Sequence, residues 1–593
     1  MMTNQGPAVS GQATRHTLPE RKLFAALAQA RATFMQIGLF SWFTNLLMLT
    51  GPLYMLQVYD RVLNSQSVPT LAALTLLMLV LYTAWGALEW IRTSLFNAIA
   101  SRFEASLGNL SADAALDLSV SHPGKATDRP LRDLRLIRRF IASPALTALF
   151  DAPWSPIFLI VLFLLHPLFG LWALFGAVVL FGLSVLNQVL SSKLLEENAT
   201  LERLARQRAG EMVRSVEVID ALGMREQVKA RWRQVFDASD SSLFSSRNRL
   251  SGFAALTKAF RLFLQSAILG IGAWLVITSS DGSSTPGEMI AASILMGRAI
   301  APIEQIVGQW QSIISARSAW QALSMALSRA APDMQSMALP PLKGHVSIDA
   351  LHAGPPGAAL PVLRNLSFSL SPGDVLGVLG PSAAGKSTLA KLLTGIWPAS
   401  HGVIRLDGAD IATLDPVRRG QQTGYLPQQT DLLSGTVRDN ICRFDPHAPA
   451  DAILSAAHAA ACHELILSLP DGYDTDVGEG GTYLSAGQRQ RIGLARALYN
   501  APALVILDEP NSNLDTAGEA ALQEAIAGLK ARQATTIIVA HRPALLRQCT
   551  KLLLLEAGEI KLFGPKDEVL REISSRQPGL KVRTIGTRGE SHG

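Results

Sequence analysis

Cysteine is nearly absent from this chain of 593 residues: Cys442, Cys462 and Cys549 are the only three, and all fall in the C-terminal half. That scarcity excludes a disulfide framework and leaves three ordinary, partly buried thiols. Charge is scarce as well, at 17% of residues against 48% hydrophobic, a balance lopsided for a soluble enzyme. Met1 to Glu20 holds no apolar core segment, so no cleavable secretory signal is expected there.

The missing charge is missing in blocks. Residues 32–59 and 62–88 carry no charged side chain, and each run is long enough to cross a hydrocarbon core of roughly 30 Å as a helix. Residues 152–192 form an uncharged stretch too long for one span, and His166-Pro167 near its middle supplies a turn, so it reads as two. Residues 262–280 make a fifth span, and 289–310 a sixth that Arg298 and Glu304 interrupt. Buried helices of a soluble core seldom run about 20 residues without charge. The basic residues sort these spans by side. Arg15, Arg21, Lys22 and Arg31 precede the first; Arg102, Arg129, Arg132, Arg135, Arg138 and Arg139 follow the second; Lys193, Arg203, Arg206, Arg208, Arg225 and Lys229 follow the fourth. Residues 279–284, between spans five and six, have no Lys or Arg. By the positive-inside tendency both termini lie in the cytoplasm. The net charge of +6 then belongs to loops beside anionic lipid, and no nucleic-acid partner is inferred.

The expected organisation is a cytoplasmic segment (1–30), a six-span membrane α-helical bundle with two long cytoplasmic connections (31–330), a Pro- and Met-rich linker (331–345), an α/β domain (346–573) and a polar, basic, flexible tail (574–593). In 131–141 and 197–232 apolar residues recur at three- and four-residue spacing, as in amphipathic helices. Their tips, near 130–137 and 216–224, are candidates for short transverse helices. From Val346 the pattern changes to short, almost wholly apolar runs such as 375–378, 535–539 and 552–555, which is how buried parallel strands read.

Gly380-Pro381-Ser382-Ala383-Ala384-Gly385-Lys386-Ser387 fits the phosphate-binding loop G-x-x-x-x-G-K-[ST], following an apolar strand and opening a helix expected over Thr388 to Thr394. Backbone N–H groups would surround the phosphates of ATP, Lys386 would bridge the outer two and the Ser387 hydroxyl would ligate Mg2+. Leu504 to Glu509 is an apolar strand ending in two carboxylates. There Asp508 would hold magnesium through water and Glu509 would act as general base.

Leu484-Ser485-Ala486-Gly487-Gln488, followed by Arg489-Gln490-Arg491, resembles the signature sequence of ABC ATPases. A helix starting there would be a second anion site, made of the Ser485 hydroxyl, the Gly487 N–H and the helix dipole. In that family it caps the γ-phosphate held by the other subunit. The resemblance implies more roles. Gln428, in Tyr425-Leu426-Pro427-Gln428, matches the glutamine that contacts magnesium; Asp515, in Ser512-Asn513-Leu514-Asp515, matches the loop that crosses the dimer seam; His541 matches the histidine that contacts the γ-phosphate. Three positions depart from the family pattern. His352-Ala353-Gly354-Pro355-Pro356-Gly357 lacks the aromatic residue that stacks on adenine, and Ala486 and Ala383 each stand where glycine is usual. The first departure puts nucleotide selectivity in doubt.

Gly51 to Leu63 and Phe150-Asp151-Ala152-Pro153-Trp154-Ser155-Pro156 look like the type I secretion ATPases of Gram-negative bacteria, the metalloprotease-exporting branch especially. That resemblance implies a homodimer in the bacterial inner membrane, a periplasmic adaptor, an outer-membrane channel protein and a secreted protein substrate with a C-terminal signal. Some relatives carry a peptidase domain before the first span; here about 30 residues precede it without a cysteine, so no cysteine peptidase is expected. A lipid or drug exporter of the same fold is the alternative. Arg298 would lie about 14 Å deep at roughly 1.5 Å rise per residue, either lining the export path or in an ion pair within the bundle.

Overall fold

The computed structural model describes residues 18–121, 127–278, 285–329, 341–358, 360–540 and 543–576. Two compact units emerge, one drawn from residues 1–115 and 128–330 and the other from 116–127 and 331–593. Among the described residues of the helical unit six helices are long and apolar enough to cross a membrane: Arg31–Ser65, Val68–Ser121, Pro144–Leu165, Pro167–Asn187, Ser251–Thr278 and Pro286–Gly308. Leu76, Leu79 and Leu164 on them are 63%, 61% and 79% exposed, a display that water penalises and lipid does not.

The division of 152–192 into two spans falls where proline requires it. His166 is extended (φ −161°, ψ 137°), and its Nδ1 accepts from the Leu168 N–H at 3.1 Å, capping the helix that Pro167 opens. The second span begins later than its charge-free run, because Val62 to Ser65 complete the first helix and Gln66 breaks it in a left-handed conformation (φ 52°). A lack of charge marks apolar surroundings, not the turn between two helices. The expected helix over 131–141 forms as Arg129–Ile141, burying Leu134, Ile137 and Ile141 while Arg132, Arg135, Arg138 and Arg139 stay exposed. The stretch 197–232 is three helices: Pro167–Arg214 ends at Ser215, Val216–Ala221 is a short piece, and left-handed Gly223 (φ 61°) precedes Arg225–Thr278.

Polar groups inside the helical unit pair across long sequence distances. Arg92 is 2% exposed; its Nη1 donates to Asp151 Oδ1 at 2.7 Å and Ser41 Oγ at 3.0 Å, and its Nη2 pairs with Glu89 at 2.7 Å. Asn45 Nδ2 donates to the same Asp151 oxygen at 2.9 Å. Asp60 accepts from the Gly287 N–H at 3.0 Å and from Thr285 Oγ1 at 2.8 Å. Thr285 is also the N-cap of the sixth span, in a reciprocal capping box with Glu288. Glu304 pairs with Arg261 at 3.2 Å. Among the described residues Arg298 has Met48 Sδ at 3.7 Å and no carboxylate within ion-pair distance.

Among its described residues the second unit holds ten strands: β1 (Val346–Ala353), β2 (Leu363–Leu370), β3 (Val375–Leu379), β4 (His401–Leu406), β5 (Ala409–Asp410), β6 (Thr423–Leu426), β7 (Leu504–Asp508), β8 (Thr535–Val539), β9 (Lys551–Glu556) and β10 (Glu559–Pro565). Four form an antiparallel sheet, β2-β1-β4-β5; six form a second, β10-β9-β3-β8-β7-β6, parallel except for β10. Alternate residues of the larger sheet feed two cores. Val505, Leu507 and Ile538 enter one, and Leu504, Ile506, Ile537 and Val539 the other, which is why these strands read as unbroken apolar runs. The end of the expected linker is fastened to this unit: Lys343, Gly344 and His345 donate backbone N–H groups to the Asp407 carboxylate at 2.6, 3.1 and 2.8 Å. Helix Lys566–Arg576 carries order three residues into the expected tail.

Candidate nucleotide site

Parallel strands leave their carboxyl ends on one edge, and the sequence motifs gather there. Val378 is in register with Val539, Val539 with Asp508, and Leu507 with Leu426. The loops after β3, β6, β7 and β8 therefore leave the sheet side by side. They bring together Gly380, Gln428 and Glu509. His541, two residues beyond β8, lies outside the described residues.

After β3 the chain turns through Gly380 (φ 151°), Ala383 (φ 64°) and Gly385 (φ 102°) into helix Lys386–Leu393, two residues earlier than expected. At Gly380 a Cβ would run into the Leu555 carbonyl oxygen, so only glycine fits. Ala383 adopts the left-handed conformation that glycine holds without strain, at a cost of about 1–2 kcal/mol. Pro381 and Ser382 form the exposed crest, and Ala384 donates its N–H to the Pro381 carbonyl at 3.3 Å. The Lys386 ammonium donates to the carbonyls of Gly380 and Pro381 at 2.9 and 2.8 Å. Burial pushes its pKa down, against the pull of the Glu509 and Asp508 carboxylates. Gly385, Lys386, Ser387 and Thr388 form the first turn, whose N–H groups lack helical acceptors and suit an anion.

Asp508 is 2% exposed at the end of β7. Burial raises its pKa; a hydrogen bond from the Ser387 hydroxyl opposes this, and the neighbouring Glu509 adds to it. Its Oδ1 has no hydrogen-bonding partner among the described residues. A buried carboxylate oxygen left open beside a serine hydroxyl fits a hard divalent cation such as Mg2+, which takes oxygen ligands. Glu509, the next residue, is left-handed (φ 51°). Its carboxylate accepts from Gln428 Nε2 at 3.0 Å, and its N–H donates to the Val539 carbonyl at 3.0 Å.

Helix Ala486–Leu498 begins at Ser485, whose Oγ accepts from the Gln488 N–H at 3.2 Å while Gln488 Oε1 accepts from the Ser485 N–H at 2.8 Å. The Ser485 hydroxyl keeps its own proton to donate. Ala486 sits in helical conformation, where the missing glycine removes no N–H. Gly487 packs so closely on the next loop that a Cβ would lie 3.0 Å from the Asn513 carbonyl oxygen. Asp515 caps helix Thr516–Ala531 by accepting from the Gly518 N–H at 2.8 Å. In the region without an aromatic residue, His352 meets His401 edge-on at 6.4 Å, and the side chains nearest Gly385 are the aliphatic Val362 and Leu363.

Residues 363–512 match the ABC transporter family and residues 34–302 the ABC transporter transmembrane region. Over 576 residues the chain is 41% identical to the type I secretion system ATP-binding protein PrsD of Rhizobium meliloti (strain 1021), covering 95% of this chain and 97% of that protein. The chain is a type I secretion ABC transporter. This transporter is also 30% identical, over 92% of its length and 77% of the other's, to the leukotoxin translocation ATP-binding protein LktB of Mannheimia haemolytica. A bacterial Atm1-family ABC exporter with ATP bound shares its fold, with a TM-score of 0.79 at 22% identity over 95% of this chain and all of that one. The transporter is thus a multi-pass membrane protein whose second unit is an ATP-hydrolysing transport ATPase.

One residue of the site escaped the motif reading. Gln490 is 2% exposed and reaches the loop after β7: its Nε2 donates to the Pro510 carbonyl at 2.6 Å, and its Oε1 accepts from the Asn513 N–H at 3.1 Å. The available signal was a polar side chain on a buried helical stripe with Leu494 and Ala497. Such a group needs partners, but periodicity does not say which.

Proposed function

We propose that this transporter energises type I secretion: as a homodimer in a bacterial inner membrane, with both termini in the cytoplasm, it exports an unfolded protein bearing a C-terminal signal. A periplasmic adaptor and an outer-membrane channel protein complete the path. The observation that carries this reading is the end-to-end identity with a type I secretion ATP-binding protein. The apolar spans and the basic connections favour the orientation.

In the ATPase unit, the loop from Gly380 to Thr388 holds the phosphates through backbone N–H groups and Lys386. Ser387 and Asp508, with Gln428 nearby, would hold Mg2+, which when bound would supply positive charge against that developing on the phosphates. Glu509 takes a proton from the attacking water as the bond between the β- and γ-phosphates breaks, and Gln428 keeps its carboxylate aimed. Ser485, Gly487 and Gln488 at one helix start, with Asp515 and its loop, complete the site of the partner copy, and His541 contacts the γ-phosphate. A single copy then holds two half-sites.

The test is export of a reporter carrying the C-terminal segment of a cognate secreted protein. The native chain should release it to the medium. Glu509→Gln should bind ATP, stay in a closed dimer and release none. Reporter release that is indifferent to Glu509→Gln would refute the proposal.

A further inference from the structure

The turn after β7 asks its backbone for an unusual geometry. Successive residues of an extended strand point to opposite sides, yet Asp508 and Glu509 both serve one nucleotide. The left-handed φ of 51° at Glu509 reverses the chain there. A glutamate does not adopt that conformation unless its surroundings impose it. Three restraints come from the sheet and the turn itself: Glu509 N–H to the Val539 carbonyl, Ser512 N–H to the Glu509 carbonyl at 3.2 Å, and Gln428 on the carboxylate. The fourth comes from outside the sheet. Gln490, on the helix that Ser485 caps, donates to the Glu509 carbonyl at 3.4 Å and the Pro510 carbonyl at 2.6 Å, and accepts from the Asn513 N–H at 3.1 Å. One buried side chain thus grips both ends of the turn.

We propose that Gln490 is a positioning residue for ATP hydrolysis: from the signature helix it fixes the turn from Glu509 to Asn513 and so aims the Glu509 carboxylate. Gly487, one turn back on that helix, lies against Asn513. A shift of the helix that faces the partner copy's phosphate therefore moves the base of the chain's own site through Gln490. The proposal rests on Glu509 being the base, and Glu509→Gln tests that separately.

The experiment is Gln490→Glu in the full-length transporter in lipid nanodiscs, with ATPase rate measured against the native chain from about pH 6 to about pH 9. A protonated glutamic acid reproduces the main contacts, because its O–H donates to the Pro510 carbonyl and its carbonyl accepts from Asn513. An ionised one turns a carboxylate onto two carbonyls. Burial and the Asp508 and Glu509 carboxylates raise the introduced group's pKa, and the Lys386 and Arg491 cations oppose them. The ratio to native should stay within about threefold at low pH and fall roughly tenfold or more at high pH, with KM for ATP changed by less than about threefold. Gln490→Leu should be slow throughout while still binding a fluorescent ATP analogue. A Gln490→Glu variant that tracks the native rate at every pH overturns the proposal. So does one that is equally impaired at every pH, since a space-filling role has no pH profile.

Discussion

Replacing Arg92 with leucine tests the buried polar cluster that joins three helices of the membrane unit, and its cost follows from what is left behind. Arg92 donates to Asp151 at 2.7 Å and to Ser41 at 3.0 Å, and neutralises Glu89 at 2.7 Å. Without it the Asp151 carboxylate, with its side chain 12% accessible, keeps one donor, Asn45 at 2.9 Å. Glu89, with its side chain 33% accessible, is less enclosed than Asp151. Asp151 therefore sets the penalty, about 3–5 kcal/mol for one orphaned buried charge. Asp151→Asn alone removes a charge but leaves Arg92 paired with Glu89, so it should cost less. In the double variant the Asp151 charge no longer lacks its partner, and the combined loss should fall short of the sum by about 2 kcal/mol. The assay is unfolding of the purified transporter by SDS in mixed micelles, followed by tryptophan fluorescence across the full mutant cycle. A loss below about 0.5 kcal/mol for Arg92→Leu, the range of an inconsequential surface change, or strict additivity would refute the reasoning.

Gly287→Ala should destabilise by about 2 kcal/mol, because its Cβ would fall 2.6 Å from both Asp60 carboxylate oxygens and end two charge-assisted bonds on a half-buried group. Asp60→Ala should cost a similar amount in the same unfolding assay, and the two together little more than either. At Asp508 the folded pKa lies above the ordinary aspartate value. The folded chain therefore holds that proton more tightly than the unfolded chain does, and folding is disfavoured once pH rises above the unfolded value, about 3.9. At neutral pH, without Mg2+, Asp508→Asn should therefore raise the unfolding temperature while lowering ATP hydrolysis. A lowered unfolding temperature would contradict this.

Where the sequence was most legible, the environment left it least freedom. Lipid admits only apolar, internally hydrogen-bonded spans, so runs such as 152–192 announced their helices, and Pro167 marked where the second of them starts. The phosphate loop was equally plain, because Gly380 and Gly385 hold conformations that other residues resist. The junction at Gln66 was not legible, since a left-handed glutamine between two apolar runs leaves no trace in composition. Neither were the partnerships of Arg92 with Asp151, Asp60 with Gly287 and Gln490 with Pro510. Each joins residues that only the tertiary fold brings together, and a polar residue's need for a partner does not name the partner.

The contact between Asp60 and the start of the sixth span also bears on how the chain is made. Ribosomes deliver residue 60 more than two hundred residues before Gly287, so the first span enters before the donors that its end carboxylate will bind have been made. The last span's opening turn gains those bonds only when it arrives beside the first. Closure of the bundle is thus registered chemically by its two ends meeting: a chain truncated before Thr285 would leave the Asp60 carboxylate without these two donors.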